Sequence, residues 1–80
     1  MEKEVVIYGT KTCPFCHKAR EFMKEHNIKF KDALVDEDEQ AREEMVEKSG
    51  QMSVPVIIIG KDIIVGYNER KLKKALGIGK

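Results

Sequence analysis

Val5-Val6-Ile7-Tyr8-Gly9-Thr10-Lys11-Thr12-Cys13-Pro14-Phe15-Cys16 joins a short apolar run to both cysteines of the chain. The run Val5 to Tyr8 reads as a buried strand, because continuous apolar residues suit a sheet covered on both faces. The strand breaks at Gly9, and Thr10, Lys11 and Thr12 form a loop. Pro14 suits the first turn of a helix, where its missing N–H costs nothing. Beyond it, Ala19, Phe22, Met23 and His26 recur at three- and four-residue intervals, predicting an amphipathic helix that ends near Asn27. A Cys at such a helix start meets unpaired N–H groups and the positive end of the dipole. Cys13 is therefore expected to ionise more readily than an ordinary cysteine.

Two other uses of the pair are a structural disulfide and half of a metal site. A bridge across so short a loop would stabilise the chain by roughly 2 kcal/mol at most, a poor staple where a core is available. Zinc needs about four ligands, and one CxxC with the distant His17 and His26 lacks the usual spacing, so no metal ligands are assigned. Redox chemistry is the leading reading of the pair.

The chain has 80 residues, 15 Lys and Arg against 14 Asp and Glu, and an apolar share of 41%, enough for one modest core. The near-cancelling charge argues against a nucleic-acid groove or a polybasic membrane patch. The N-terminus, Met1-Glu2-Lys3-Glu4, is charged, and the apolar run after it is too short for a secretory signal or a membrane span. A cytoplasmic location is expected, where thiols stay reduced unless they cycle.

Ile28 to Val35 reads as a second strand with Phe30, Ala33 and Leu34 as its apolar positions. The acidic run Asp36-Glu37-Asp38-Glu39 complements the dipole of a helix from about Glu37 to Lys48, with Ala41, Met45 and Val46 on one side and a cap at Ser49-Gly50. Val56 to Ile59 is the most apolar stretch and should be a central strand, with Pro55 at its head. Gly60-Lys61-Asp62 makes a tight turn to Ile63-Ile64-Val65. Gly66-Tyr67-Asn68 breaks that strand, and Glu69 to Leu76 forms a last helix with Leu72, Ala75 and Leu76 inward and Gly77 as its stop.

Cys13-Pro14-Phe15-Cys16 opening a helix, Ser53-Val54-Pro55 before a strand, and a Gly-aromatic turn before the last helix together resemble a glutaredoxin, over essentially the whole chain. The resemblance implies one glutaredoxin-like domain, residues 1–80, with an α/β thioredoxin fold. That fold is a four-stranded mixed sheet flanked by three helices in the order β-α-β-α-β-β-α. It implies a cis Val54-Pro55 peptide beside the dithiol, with the Val54 backbone pairing with glutathione or a peptide. It also implies Cys13 as nucleophile, Cys16 as resolving thiol, and a substrate surface drawn from Lys11, Phe15, Gln51, Val54, Pro55, Gly66, Tyr67 and Asn68.

Three positions depart from the family pattern. Glutaredoxins commonly carry a Lys three residues before the first Cys to attract the glycyl carboxylate of glutathione; Thr10 stands there, and Lys11 is one step closer. The paired glycines before the last helix read Val65-Gly66. The Ser or Asp that follows them is replaced by Asn68 and Glu69, and Asn68 makes a weaker partner for an ammonium than a carboxylate does.

The implied activity is glutathione-dependent thiol–disulfide exchange on protein or glutathione mixed disulfides, with no bound cofactor and glutathione as co-substrate. Disulfide-containing proteins are the expected partners and a monomer the expected state. Gly66-Tyr67 also resembles the small redoxins that supply electrons to ribonucleotide reductase, so a thioredoxin-reductase-linked redoxin is the alternative. An iron–sulfur or metal-binding module is a remote one, since such glutaredoxins usually lack the second Cys or replace Pro14. The Cys13 thiolate is expected to draw on helix-start amides near Cys16, with Lys11 and Lys18 nearby, while His17 reads as a solvated helix residue.

Overall fold

Side chains alternate across a strand, so β1 (Val5–Gly9) sends Val5, Ile7 and Gly9 to one side and Val6 and Tyr8 to the other. Both sides are covered. The computed structural model describes residues 4–78, and the charged opening Met1-Glu2-Lys3 lies outside the described residues. Within them, β1 is followed by α1 (Pro14–Glu25), β2 (Lys31–Leu34), α2 (Glu39–Ser49), β3 (Val56–Ile59), β4 (Asp62–Val65) and α3 (Glu69–Leu76).

The sheet order is β2-β1-β3-β4. β1 runs parallel to β2 and antiparallel to β3, with Tyr8 opposite Val56, and β3 is antiparallel to β4. This is the mixed-sheet thioredoxin fold that the resemblance implies. One face carries Val5, Ile7, Ile57, Ile59 and Ile64 against Ala19, Phe22 and Met23 of α1 and Leu72 and Ala75 of α3. The other carries Tyr8, Val56 and Ile58 against Ala41 and Met45 of α2. All four residues of β3 are buried, as a central strand requires. At about 1.5–3 kcal/mol for each fully buried aliphatic side chain, β3 is the richest single source of hydrophobic stabilisation.

Element ends differ from the sequence expectation in several places, among them β4, which starts at Asp62 because that residue pairs with Ile59 instead of lying in the turn. β2 is four residues long and not eight. Asn27 enters the left-handed region (φ 56°) and the Ile28 N–H bonds back to the Met23 carbonyl, so Ile28 and Phe30 pack under α1 before the ladder begins. His26 is exposed and caps α1 instead of joining its apolar face, with its ring 4.4 Å from that of Phe22. β1 continues through Gly9, whose carbonyl accepts the Val35 N–H at 3.0 Å. α2 starts at Glu39, because Asp38 is its N-cap and accepts from the Gln40 and Ala41 N–H groups at 3.0 and 3.3 Å. Asp36 and Glu37 belong to the preceding turn, closed by bonds from Glu37 and Asp38 to the Leu34 carbonyl. Gly50 and Gly77 end α2 and α3, both at φ 72°, where a Cβ would be strained.

Asp38 caps α2 with one side-chain oxygen shared by two amides. Asp38→Ala should cost about 1 kcal/mol, read as a lower urea midpoint at unchanged slope, while Asp38→Asn should cost only a fraction of that.

Candidate functional site

Four chain segments meet at one end of the sheet. β1 and β2 run parallel, so both deliver their C-terminal ends there: Thr10 to Cys13 after β1, and Val35 to Glu37 after β2. β3 runs the opposite way, which brings Val54-Pro55 to the same end, just ahead of Val56, the partner of Tyr8. β4 returns Gly66-Tyr67 to it, and the Gly66 N–H bonds the Pro55 carbonyl at 2.7 Å. The Val54-Pro55 peptide is cis. Tyr67 and Pro14 line one shallow groove together with His17, Lys18 and Phe22.

Cys13 is the N-cap of α1. Its backbone is extended (φ −79°, ψ 118°), and its Sγ accepts the Cys16 N–H at 3.4 Å. Its carbonyl already accepts from His17 at 3.1 Å, the first bond of the helix. Pro14 takes the next position without leaving a donor unpaired. Three residues on, almost one turn, Cys16 lies beneath with no exposed surface. Both thiols are free, and Cys13 is half-exposed.

Gly9 explains how Cys16 gets so deep. A Cβ on Gly9 would stand 2.5 Å from Cys16 Sγ and 3.0 Å from its Cβ, so only a bare Cα lets the helix and strand meet here. Arg20, one turn after Cys16, reaches the same spot. Its Nη2 donates to the Thr10 carbonyl at 3.0 Å, and its Nε lies 3.0 Å from Asp32 Oδ2 on β2. The second contact is an ion pair whose angle falls short of a hydrogen bond.

These contacts split the two thiols. Partial burial opposes ionisation of Cys13, but the Cys16 thiol, the Cys16 and Phe15 N–H groups and the Arg20 charge outweigh it, and its pKa falls below 9.0. Burial, followed by the bond to Cys13 and the repulsion of its negative charge, pushes Cys16 up to about 11, against the Thr10 N–H and Arg20. One sulfur is poised as an anion while the other keeps its proton.

The cations do not act as the sequence implies. Lys11 is exposed and paired with Glu37 at 3.0 Å, an arrangement that raises its own pKa. Lys18 lies 5.6 Å from the centre of the Phe15 ring. Neither is among the groups that favour the Cys13 thiolate, a correction to the expectation that they supply its charge; Arg20 does so instead. Of the other expected substrate-surface residues, Phe15 projects into solvent at 55% exposure, beside Cys16 in sequence but on the outer face. Gln51 is exposed and tied locally, its N–H to Ser49 Oγ and its Oε1 to the Ser53 hydroxyl. Tyr67 is half-buried against the α1/α3 core, and burial, then Glu69 and Glu25, raise its pKa. Asn68 Oδ1 is spent on capping α3, accepting the Lys71 N–H at 3.1 Å. Among the described residues no three His, Cys, Asp or Glu side chains converge as a metal site, and no helix is long and apolar enough to cross a membrane.

The glutaredoxin family model matches residues 5–64, which span both cysteines, Pro55 and most of the sheet. The chain belongs to the glutaredoxin family. It is 46% identical over 72 residues to a glutaredoxin-like 8.6 kDa protein of the rubredoxin operon of Clostridium pasteurianum, covering 90% of this chain and 96% of that one. It is 35% identical over 65 residues to glutaredoxin 3 of Escherichia coli K12, covering 81% and 78%. The solved glutaredoxin of Archaeoglobus fulgidus superposes with a TM-score of 0.82 at 38% identity, covering 96% and 88%. The protein is a thiol–disulfide oxidoreductase.

In this glutaredoxin, Arg20, Gly9 and Glu37 are the site residues that sequence reasoning missed. Arg20 left a signal: a cation four residues after the inner Cys lies on the buried side of the helix. Gly9 left another, since it shares strand parity with Val5 and Ile7. Glu37 left none, because its pairing with Lys11 depends on two separate strand ends being neighbours.

Two measurements check this site. With iodoacetamide at neutral pH, Cys13 alone should react, its rate following an ionisation midpoint below that of an ordinary thiol. Cys16 should stay unmodified until the pH nears 11. Cys16→Ala deletes the S–H donor and should move the Cys13 midpoint upward, slowing neutral-pH alkylation roughly threefold, about half a unit. Separately, Gly9→Ala should destabilise the fold by about 1–3 kcal/mol in urea, by overpacking at Cys16.

Proposed function

We propose that this glutaredoxin reduces protein disulfides and glutathione mixed disulfides through Cys13 and Cys16, with glutathione restoring the dithiol. The observation that carries the reading is the asymmetry of the pair. A half-exposed Cys13 with a depressed pKa is available to attack, and a buried Cys16 held near 11 is kept in reserve.

The Cys13 thiolate attacks one sulfur of the substrate disulfide. A Cys13–substrate bond forms, the substrate S–S bond breaks, and the departing thiolate takes a proton from solvent. Cys16 then gives up its proton and attacks Cys13 Sγ, forming the Cys13–Cys16 disulfide and expelling the second substrate sulfur, which is protonated. Two electrons and two protons have reached the substrate. Two glutathione thiols return the dithiol by the same exchange in reverse, leaving one glutathione disulfide.

Substrate is proposed to lie across Val54, whose N–H and carbonyl have no hydrogen-bond partner among the described residues, with Pro55, Gly66 and Tyr67 beside it. Phe15, Gln51 and Lys11 form the outer rim. Such a cycle suits a monomer in a reducing compartment such as the cytoplasm. A second reading, reduction by a thioredoxin reductase, is favoured by one observation. Lys11 and Asn68, two groups expected to hold glutathione, are already engaged by Glu37 and the start of α3.

The deciding assay follows NADPH consumption with a glutathione mixed disulfide. It is run with glutathione and its reductase in one arm and thioredoxin reductase alone in the other. Turnover should appear in the glutathione arm and vanish in Cys13→Ser. Glu37→Gln should free Lys11 and lower KM by up to about fivefold, the range of a surface ion pair. Turnover confined to the reductase arm transfers the protein to the second reading, and turnover surviving in Cys13→Ser refutes both.

A further inference from the structure

Among the described residues, Arg20 is the one cation counted among the groups that act on both sulfurs. Its side chain is only 11% exposed, in contrast to Lys11 at 67%. Its Nη2 and Cys16 Sγ both lie over the bare Cα of Gly9, at 3.6 and 2.5 Å from where a Cβ would stand. The same Nη2 holds the Thr10 carbonyl, the first residue of the loop that leads to Cys13. On its far side Asp32 faces Nε from β2, itself 39% exposed, and the ion pair lacks hydrogen-bond alignment. Thus the guanidinium has the Asp32 carboxylate at Nε and the Cys16 sulfur near Nη2, in a place where water screens little.

We propose that Arg20 is a positioning residue for thiol–disulfide exchange, clamping the Thr10–Cys13 loop and presenting to the two sulfurs a positive charge that Asp32 partly neutralises. The proposal rests on Cys13 as the nucleophile. The charged and titratable groups facing Arg20 are Asp32 from β2, Cys16 from its own helix and Cys13 from the turn ahead of it. Lys11 and Lys18 are turned to Glu37 and Phe15.

The redox consequence has a definite sign. The disulfide takes up two electrons and one proton to give Cys13 thiolate and Cys16 thiol, so reduction creates a negative charge where the disulfide had none. A cation at hand stabilises the reduced form and raises the reduction potential. Removing Arg20 should make the dithiol a stronger reductant. Removing Asp32 should unmask Arg20 and make it a weaker one.

The test uses the full chain with Arg20→Gln, Arg20→Lys and Asp32→Asn. Each is read by the pH midpoint of Cys13 thiolate absorbance and by redox equilibrium in a glutathione buffer. Arg20→Gln should raise the Cys13 midpoint and shift the equilibrium three- to tenfold toward the oxidised protein, tenfold being about 30 mV. Asp32→Asn should move both in the opposite direction, and Arg20→Lys should recover most of the wild-type values. A structural role alone loosens the loop whichever partner is lost, so shifts of the same sign in Arg20→Gln and Asp32→Asn overturn the proposal. So does the absence of any shift beside a wild-type Cys13 that ionises early. A wild-type Cys13 that ionises as an ordinary thiol instead defeats the nucleophile reading itself.

Discussion

Everything at the reactive end of this protein depends on the contact between Cys16 Sγ and the bare Cα of Gly9. α1 can lie close to β1 only because that position has no side chain, and the closeness sets the depth of each residue in the first turn. Cys16 drops to the level of the sheet and loses all solvent. Cys13, three residues earlier, is left at the rim, where a backbone N–H of the helix start meets its sulfur. Were the helix held one methyl group further out, Cys16 would gain solvent and Arg20 would lose its place over Gly9. The chemical difference between two otherwise identical side chains is thus a consequence of packing.

Electrostatics follows depth in the same way. Four basic side chains lie around the start of α1: Lys11, His17, Lys18 and Arg20. His17 is exposed, Lys11 is neutralised by Glu37 in open water, and Lys18 rests near the Phe15 ring. An exposed charge that is already paired with a carboxylate, or screened by open water, has little hold on a thiol. Arg20 is the farthest of the four from Cys13 in sequence but lies where the effective dielectric is lower, and it alone of the four is among the groups that favour the thiolate. Proximity in sequence pointed to Lys11 and Lys18; burial decides for Arg20.

The same distinction separates what could be read from the sequence from what could not. β3 was legible because a central strand is apolar at every position, and α1 because its apolar spacing and Pro14 agree on start and face. The CxxC, its place at the helix start and the order of elements were equally open, since each is a local property. β2 was overextended because an edge strand with exposed Lys31 and Asp32 has no pattern that tells ladder from approach, and Ile28 and Phe30 are apolar for another reason, the core beneath α1. Asp38 shares an acidic run with Asp36, and either Asp could cap a helix that starts there. The partners of Lys11 and Arg20 depend on which chain ends the sheet brings together, and no local pattern encodes that.

The opposed pKa directions also bear on the order of events in the proposed cycle. Cys16 is held near 11 by three things: burial, its bond to Cys13, and repulsion from the charge on Cys13. The last two exist only while Cys13 is an anion. Once Cys13 is joined to a substrate sulfur, its charge is gone and its sulfur no longer rewards the Cys16 proton. The Thr10 N–H and Arg20, which favour the Cys16 thiolate, remain. Cys16 therefore becomes easier to ionise at the step where it must attack, and is hardest to ionise before, when its attack would have no target. Burial alone would hold Cys16 back to the same degree before and after the mixed disulfide forms. It is the coupling of a buried sulfur to an exposed one, across a single helical turn, that lets the resolving thiol wait for the mixed disulfide without a separate base to call on it.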